Sequence, residues 1–412
     1  MSDLSRYVIP RGFRFAAAKA GLKASGRTDF AVIVADAPAS AAAAFTSNRV
    51  IAAPLIVDKE HLSATGGRVR VAAINAGNAN CAAGEPGLRA ARDTCAAAAK
   101  VFGCRAVEVF PSSTGIIGVP LAAEKLIAVL PDLAAALGAE PAHFLEAAQA
   151  ILTTDTVEKT AFARIDLTGR DGAAREVRAE VRIGAFGKGS GMIHPQLVPH
   201  ATMLVYILTD AAIEPADLDA YLRPAIDISF NRISVDGDTS TNDTVLLLAS
   251  GASGVPIGRG DAAFAAALAQ VCTSLAHQVV ADGEGVSHVV ELHIDGAAND
   301  ADALRVAKAI AHSPLVKTAW AGCDPNWGRL AAAIGYSGAQ IDPGRIDIQF
   351  GDLPICRDGG RAPEFDEAVA HAYISQREFS VSIELHQGLG SCVFWTTDLT
   401  AQYIHINADY ST

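Results

Sequence analysis

The sequence predicts a mixed α+β protein in which helices cover sheets. Three observations predict it. The chain is 50% hydrophobic but only 6% aromatic, so its apolar mass is mostly Ala, Val, Leu and Ile, which suits Ala-rich helices packed on sheets. Phe162–Leu167 and Val177–Ile183 alternate apolar with polar residues, the period of half-buried antiparallel strands. Longer stretches such as Leu88–Phe102 and Asp261–Val280 carry helical spacing instead. The 412 residues are long for one domain and comfortable for two.

In chain order, Phe30–Val34 and Pro54–Val57 read as strands on either side of the small-residue stretch Ala37–Ala44. Val71–Ile74 is a strand running into the turn-rich N-A-G-N-A-N-C. Leu88–Phe102 is a helix, and Val107–Phe110 a strand followed by P-S-S-T-G-I-I-G-V-P. Leu121–Leu137 and Phe144–Leu152 read as helices. The run Met203–Leu208 is β-branched or aromatic at several places and reads as a buried strand. Ile228–Val235 leads into D-G-D-T-S-T-N-D-T, and Val245–Leu248 is another strand. After the long helix Asp261–Val280 come a strand at Val289–Ile294 and a helix at Asn299–His312, with Asn299 as its N-cap. Three strands (Arg345–Phe350, Phe379–Leu385, Cys392–Thr397) and a helix near Glu364–Tyr373 follow. The polar end I-N-A-D-Y-S-T reads as a fraying tail.

The totals exclude several function classes. A net charge of −12 argues against a nucleic-acid or anionic-membrane partner. The seven cysteines are scattered, odd in number and free of C-x-x-C spacing, so they read as buried free thiols of a reducing compartment, neither a disulfide frame nor a zinc site. The histidines show no metal-ligand spacing. MSDLSRYVIPRGFRF has no apolar signal core, and no charge-free apolar run of ~18 residues is read, so no membrane span is expected and a cytoplasmic protein is.

The stretch Phe186–Asp210 organises the rest. Gly187, Gly189 and Gly191 make a loop that can adopt backbone angles closed to other residues. Pro195 and Pro199 stiffen the approach, and Ala201 and Thr202 precede the buried run. A threonine hydroxyl needs a base, and no His or Asp stands in an obvious relay position. Breaking the Ala201–Thr202 bond would give Thr202 an α-amine of pKa ~8, able to serve as base for its own hydroxyl. The same residues also fit a plain glycine turn into a core strand, which this segment alone favours.

Other constellations carry a chemical and a plainer reading side by side. Thr114 and Gly115 in P-S-S-T-G are expected in a tight turn, able to stabilise an oxyanion or simply to connect two elements. D236-G-D-T-S-T-N-D-T244 fails as a calcium loop, with Thr241 where glycine belongs and Leu247 where glutamate belongs. It reads as an Asx-rich turn whose carboxylates hold backbone and hydroxyl groups. G-K-G-S-G is neither a Walker loop nor a nucleophile elbow. Lys188 is a candidate grip for a substrate carboxylate, or a solvated lysine. Glu284, in D-G-E-G, is a candidate grip for an ammonium, or an exposed turn carboxylate. D324-P-N-W-G-R329 reads as a loop.

Together K-G-S-G-M-I, A-T-M-L, S-V-D-G-D-T-S-T-N-D-T, D-G-E-G, D-P-N-W-G-R and I-N-A-D-Y-S-T, in this order, resemble the ornithine acetyltransferase family, the bifunctional glutamate N-acetyltransferases of arginine biosynthesis. The likeness runs from A-x-G-L-K at 19–23 and F-T-S-N-R at 45–49 to the last residue. It implies an αββα layered fold like that of N-terminal-nucleophile hydrolases. It implies self-cleavage between Ala201 and Thr202 into an α chain (1–201) and a β chain (202–412), assembled as an α2β2 heterotetramer. Thr202 would be the nucleophile, and Thr114 and Gly115 the oxyanion-hole pair. Thr154, Lys188, Thr202, Glu284, Asn407 and Thr412 would bind substrate. The implied reaction is ping-pong transfer of acetyl from N-acetyl-ornithine to glutamate, with acetyl-CoA as a further donor in bifunctional members and no metal or prosthetic group. Two departures stand out. Pro195 is followed by the longer Q-L-V-P-H, and S-H occupies 287–288 where the family often has Thr-Lys. A same-fold amidohydrolase or aminopeptidase, or a paralogue with another amine substrate, is the competing reading.

Overall fold

The computed structural model describes residues 7–170, 176–196 and 203–409. The elements in order are β1 (Phe13–Ala18), β2 (Phe30–Phe45), α1 (Ala53–Thr65), β3 (Arg68–Asn78), α2 (Gly84–Phe102), β4 (Val109–Ile116), α3 (Ala123–Ala135), α4 (Pro141–Ala150), β5 (Lys159–Arg170) and β6 (Glu176–Lys188). Then come β7 (Leu204–Thr209), α5 (Pro215–Asp227), β8 (Ile233–Ser234), β9 (Thr244–Ala249), α6 (Ala262–Ala281), β10 (Val289–Ala297), α7 (Asp300–Ala311), α8 (Pro314–Ala321) and α9 (Trp327–Gly335). The last are β11 (Asp347–Phe350), β12 (Leu353–Arg357), β13 (Gly360–Arg361), α10 (Glu367–Ile374), β14 (Glu378–Glu384), β15 (Gly390–Thr397) and α11 (Ala401–Asp409).

The strands form two mixed sheets. The first runs β4-β3-β2-β9-β7-β6-β5, with β1 also paired to β2. The second runs β13-β12-β11-β14-β10-β15-β8. β7 lies antiparallel to β6 and parallel to β9, which sets Leu204 opposite both Lys188 and Thr244.

β7 is apolar along its length because both faces are covered. Val205 and Ile207 point into a core shared with Phe264, Leu268 and Leu275 of α6 and with Leu218 and Leu222 of α5. Leu204, Tyr206 and Leu208 point the other way, into a core with Phe15, Phe144 and Phe186. Full burial of each such aliphatic side chain contributes ~1.5–3 kcal/mol. The second sheet packs Val290, Leu292 and Ile294 against Val306 and Ile310 of α7 and Trp320 of α8.

Several sequence expectations change. Pro54–Val57 is the start of α1, with Pro54 in the first turn, where its missing N–H costs nothing. P-S-S-T-G is strand: β4 carries Thr114 and Gly115 beside β3. N-A-G-N likewise continues β3 to Asn78. D-P-N-W-G-R opens α9, with the Asn326 side chain accepting from the Arg329 N–H as N-cap. The expected tail is α11 as far as Asp409. Against the expectation that no such run exists, α6 is 20 residues without Asp, Glu, Lys or Arg, and by length and hydropathy alone it could cross a membrane. Its Phe264, Leu268, Cys272, Leu275 and Val279 instead fill the core of the first sheet. The Asn299 cap is observed, accepting from Asp302 N–H at 2.9 Å.

Candidate active site

The site is built where β4, β6 and the loop after α6 converge. Lys188, the last residue of β6, is buried. Its Nζ donates to Thr114 Oγ1 at 3.3 Å. An ammonium only donates, so Thr114 Oγ accepts, and the hydroxyl proton of Thr114 is left to donate elsewhere. Gly115 follows at φ +129°, and a Cβ there would lie 2.4 Å from the Gly77 carbonyl carbon, so only glycine fits. The β3–β4 register is irregular at Gly77 and Asn78, directly opposite this pair. Such irregularities re-aim strand residues next to functional sites.

Lys188 is held by a buried charge network. Asp155, the last residue of T-T-D, accepts from Lys159 Nζ at 2.7 Å and from Gly189 N–H at 2.7 Å. Lys159 Nζ also donates to Asp282 Oδ2 at 2.6 Å. Burial pushes the Asp155 carboxyl up, but Lys188, Lys159 and the Thr153 N–H outweigh it and hold it at about 2. Burial pushes Lys188 below the usual lysine range, against the pull of Asp155. Asp282 was not singled out in the sequence, because D-G-E-G reads as a turn. It is buried and caps α6 while anchoring Thr156 and Lys159.

Gly187, Gly189 and Gly191 do not use the left-handed angles open to glycine; Met192 takes them instead, at φ +56°. The glycines serve close approach instead. A Cβ on Gly191 would sit 2.4 Å from the Glu284 carboxylate. Glu284 N–H donates to Ser190 carbonyl at 3.0 Å, and Glu284 Oε2 accepts from Asn407 Nδ2 of α11 at 2.8 Å. α11 is tied down by Thr400 Oγ1 on Gly285 carbonyl at 2.6 Å and by Tyr403 hydroxyl on Asp236 at 3.3 Å. The Asx-rich loop does the holding work expected of it. Asp236 accepts from Met192 and Ile193 N–H groups at 2.6 and 2.8 Å. Asn242 Nδ2 donates to the Ala79 and Ser113 carbonyls, at 2.5 and 2.8 Å.

These pieces enclose a cavity of about 120 Å³. Six of the residues singled out from sequence line it: Thr114, Gly115, Thr154, Lys188, Glu284 and Asn407. Ala201, Thr202 and Thr412 lie outside the described residues. The description resumes at Met203, which is buried and whose carbonyl accepts from Thr244 N–H at 2.8 Å. Asn242, Thr153 and Met192 also line the cavity and were missed as site residues. Asn242 was legible only as a turn residue, since its long-range partners are not sequence neighbours. Among the described residues no cluster of three or more metal-ligating side chains occurs.

Helices on two mixed sheets, with a small polar cavity that sets a cation beside a hydroxyl and a carboxylate beside an amide, define an α+β protein with a site shaped for a small polar molecule. The chain belongs to the ArgJ family, which matches residues 14–412. This is the family that the sequence motifs resemble. The Arginine biosynthesis bifunctional protein ArgJ of Geobacter sulfurreducens is 44% identical over 406 residues, covering 98% of this chain and 99% of its own. The protein of the same name from Symbiobacterium thermophilum is 44% identical over 409 residues, 98% of each. Among solved structures, the arginine biosynthesis bifunctional protein from Bacillus halodurans is 42% identical, with a TM-score of 0.49 over 51% of this chain and 100% of that one. Ornithine acetyltransferase complexed with ornithine from Mycobacterium tuberculosis is 34% identical, with a TM-score of 0.39 over 46% of this chain and 94% of that one.

Proposed function

We propose that this chain is a glutamate N-acetyltransferase of arginine biosynthesis that carries the acetyl group on Thr202. Thr202 Oγ attacks the acetyl carbonyl of N-acetyl-ornithine, and the carbonyl oxygen becomes an oxyanion. The free hydroxyl proton of Thr114 and the Gly115 N–H are the donors for that oxyanion. The amine of ornithine leaves with a proton, and an acetyl-threonine ester remains. The glutamate amine then attacks the ester and restores the Thr202 hydroxyl. The α-amine freed by a cut between Ala201 and Thr202 is the base in both halves. Residues 1–201 and 202–412 are then the α and β chains. Glu284, braced by Asn407, suits a substrate ammonium, and Lys188 a substrate carboxylate. Thr154 and the C-terminal Thr412 complete the substrate contacts in this reading. Acetyl-CoA serves as a second donor, no metal or prosthetic group takes part, the assembly is an α2β2 heterotetramer, and the enzyme works in the cytoplasm.

One observation carries this reading. Six residues from five distant segments, chosen by motif, line a single cavity in which the Lys188 cation lies beside the Thr114 hydroxyl and the Glu284 carboxylate beside the Asn407 amide. The test is intact-mass analysis of the 202–412 fragment after incubation with N-acetyl-ornithine. An added acetyl group on Thr202 that is discharged only when glutamate is supplied supports transfer. Discharge to water without an amine acceptor points to the amidohydrolase alternative, and absence of any acetyl on Thr202 overturns the mechanism.

A further inference from the structure

Among residues that do not line the cavity, a cysteine and a histidine face each other in the second-sheet region. Cys323 Sγ lies 3.6 Å from His288 Nε2. The other ring nitrogen, Nδ1, lies 2.7 Å from the Gln376 carbonyl oxygen. A carbonyl oxygen only accepts, so Nδ1 carries a proton. The neutral ring then presents a bare Nε2 lone pair to the thiol. One proton is therefore shared between Sγ and Nε2, the arrangement by which a base activates a cysteine nucleophile.

The surroundings fix both partners. His288 is buried, its backbone N–H donates to Asp398 Oδ1 at 3.1 Å, and its ring packs on Phe379. Cys323 is partly exposed, and its backbone is held at φ +50°. Its N–H donates to Trp320 carbonyl at 2.9 Å, and its carbonyl accepts from His371 Nδ1 at 2.7 Å. The other cysteines differ. Cys81, Cys95, Cys272, Cys356 and Cys392 are buried. Cys104 is partly exposed like Cys323, but burial pushes its thiol up to about 11.

We propose that Cys323, with His288 as its base, is a site of mixed-disulfide modification by low-molecular-weight disulfides of the glutathione type. His288 Nε2 takes the thiol proton, and the Cys323 sulfur attacks one sulfur of the disulfide. The Cys323–sulfur bond forms as the sulfur–sulfur bond of the reagent breaks. The leaving thiolate takes the proton back from Nε2, so that one thiol and one disulfide give one thiol and one mixed disulfide.

The test treats the purified protein with oxidised glutathione near neutral pH and maps adducts by peptide mass. The expected result is a single adduct at Cys323, formed at least about tenfold faster than at Cys104. His288→Asn keeps an amide donor for the Gln376 carbonyl and removes the base. It should slow the Cys323 reaction about tenfold or more while leaving thermal unfolding unchanged. A Cys323 rate no faster than that of Cys104, or unaltered in a folded His288→Asn protein, overturns the proposal. If the variant does not fold, the wild-type rate profile decides. A shallow dependence between pH 6 and 8 supports the shared proton, and a rise of about tenfold per pH unit, as for an unassisted thiol, refutes it.

Discussion

At the residue scale, the proposed mechanism gives the two hydroxyls different parts of the chemistry, so they should fail differently. Thr202→Ala should abolish both the backbone cut and acetyl transfer. Amino-terminal sequencing of the wild-type fragment should read Thr-Met-Leu-Val, and a cleaved Thr202→Ala protein would contradict the scheme. Thr114→Ala should lower kcat about 10²- to 10³-fold with KM little changed, because an oxyanion donor acts in the transition state. Lys159 is the residue to test for stability. It is wholly buried between Asp155 and Asp282. Lys159→Met leaves two buried carboxylates short of a partner and should cost roughly 3–5 kcal/mol in denaturant unfolding. The exposed Arg92–Glu60 pair sets the contrast, and Arg92→Ala should cost about 1 kcal/mol at most. The sequence made Lys188 and Glu284 legible because each stands among glycines, where side chains approach closely. Asp155, Lys159 and Asp282 were not legible as a network, because their pairing spans residues 155 to 282 and leaves no local pattern.

At the element scale, periodicity was most readable where one face alone is buried. The strands around Phe162 and Val177 and the capped helix after Asn299 fell where expected. It failed where tertiary contacts decide. α11 buries none of its side chains fully, so no apolar stripe announced it; Gly285 and Asp236 hold it over the cavity. α1 was obscured by the β-branched pair Ile56 and Val57 beside Pro54, which mimics a strand. The segment after β6 is pinned by a pair of histidines: His194 Nδ1 and His312 Nε2 lie 3.2 Å apart, with rings edge to face. Burial, then His312 and Lys308, push His194 down to about 3, and burial with Lys317 and Lys308 pushes His312 down to about 4. The folded pair therefore refuses protons that the unfolded chain accepts near pH 6.5. Stability should fall as pH drops from about 6.5 toward about 4, by up to about 2 kcal/mol per histidine at pH 5. Urea titrations at pH 7.5 and 5 should show it, and His312→Gln should make the dependence shallower. A wild-type stability flat across this window would contradict the argument.

At the scale of the whole molecule, residues before and after the proposed cut do not form separate bodies. β7 and β9 from the later part complete a sheet whose other strands come from the earlier part. A denaturing gel of active protein should show two bands near half of 42.6 kDa, while native chromatography shows none of that size. One full-length band from active enzyme would contradict the proposed maturation. Composition and periodicity together conveyed the mixed architecture; that the two parts share one sheet was out of reach, because strand order across such separations is a long-range pairing property.

The interleaving of β7 between β6 and β9 also sets a direction in time. An uncut polypeptide brings these strands together at the effective concentration of a tether, but two severed pieces must find each other by diffusion. Cut as proposed, the enzyme is easy to keep and hard to rebuild: recovery after denaturation should be second order in protein and poor at high dilution, whereas an uncut Thr202→Ala chain should regain its shape at a rate independent of concentration.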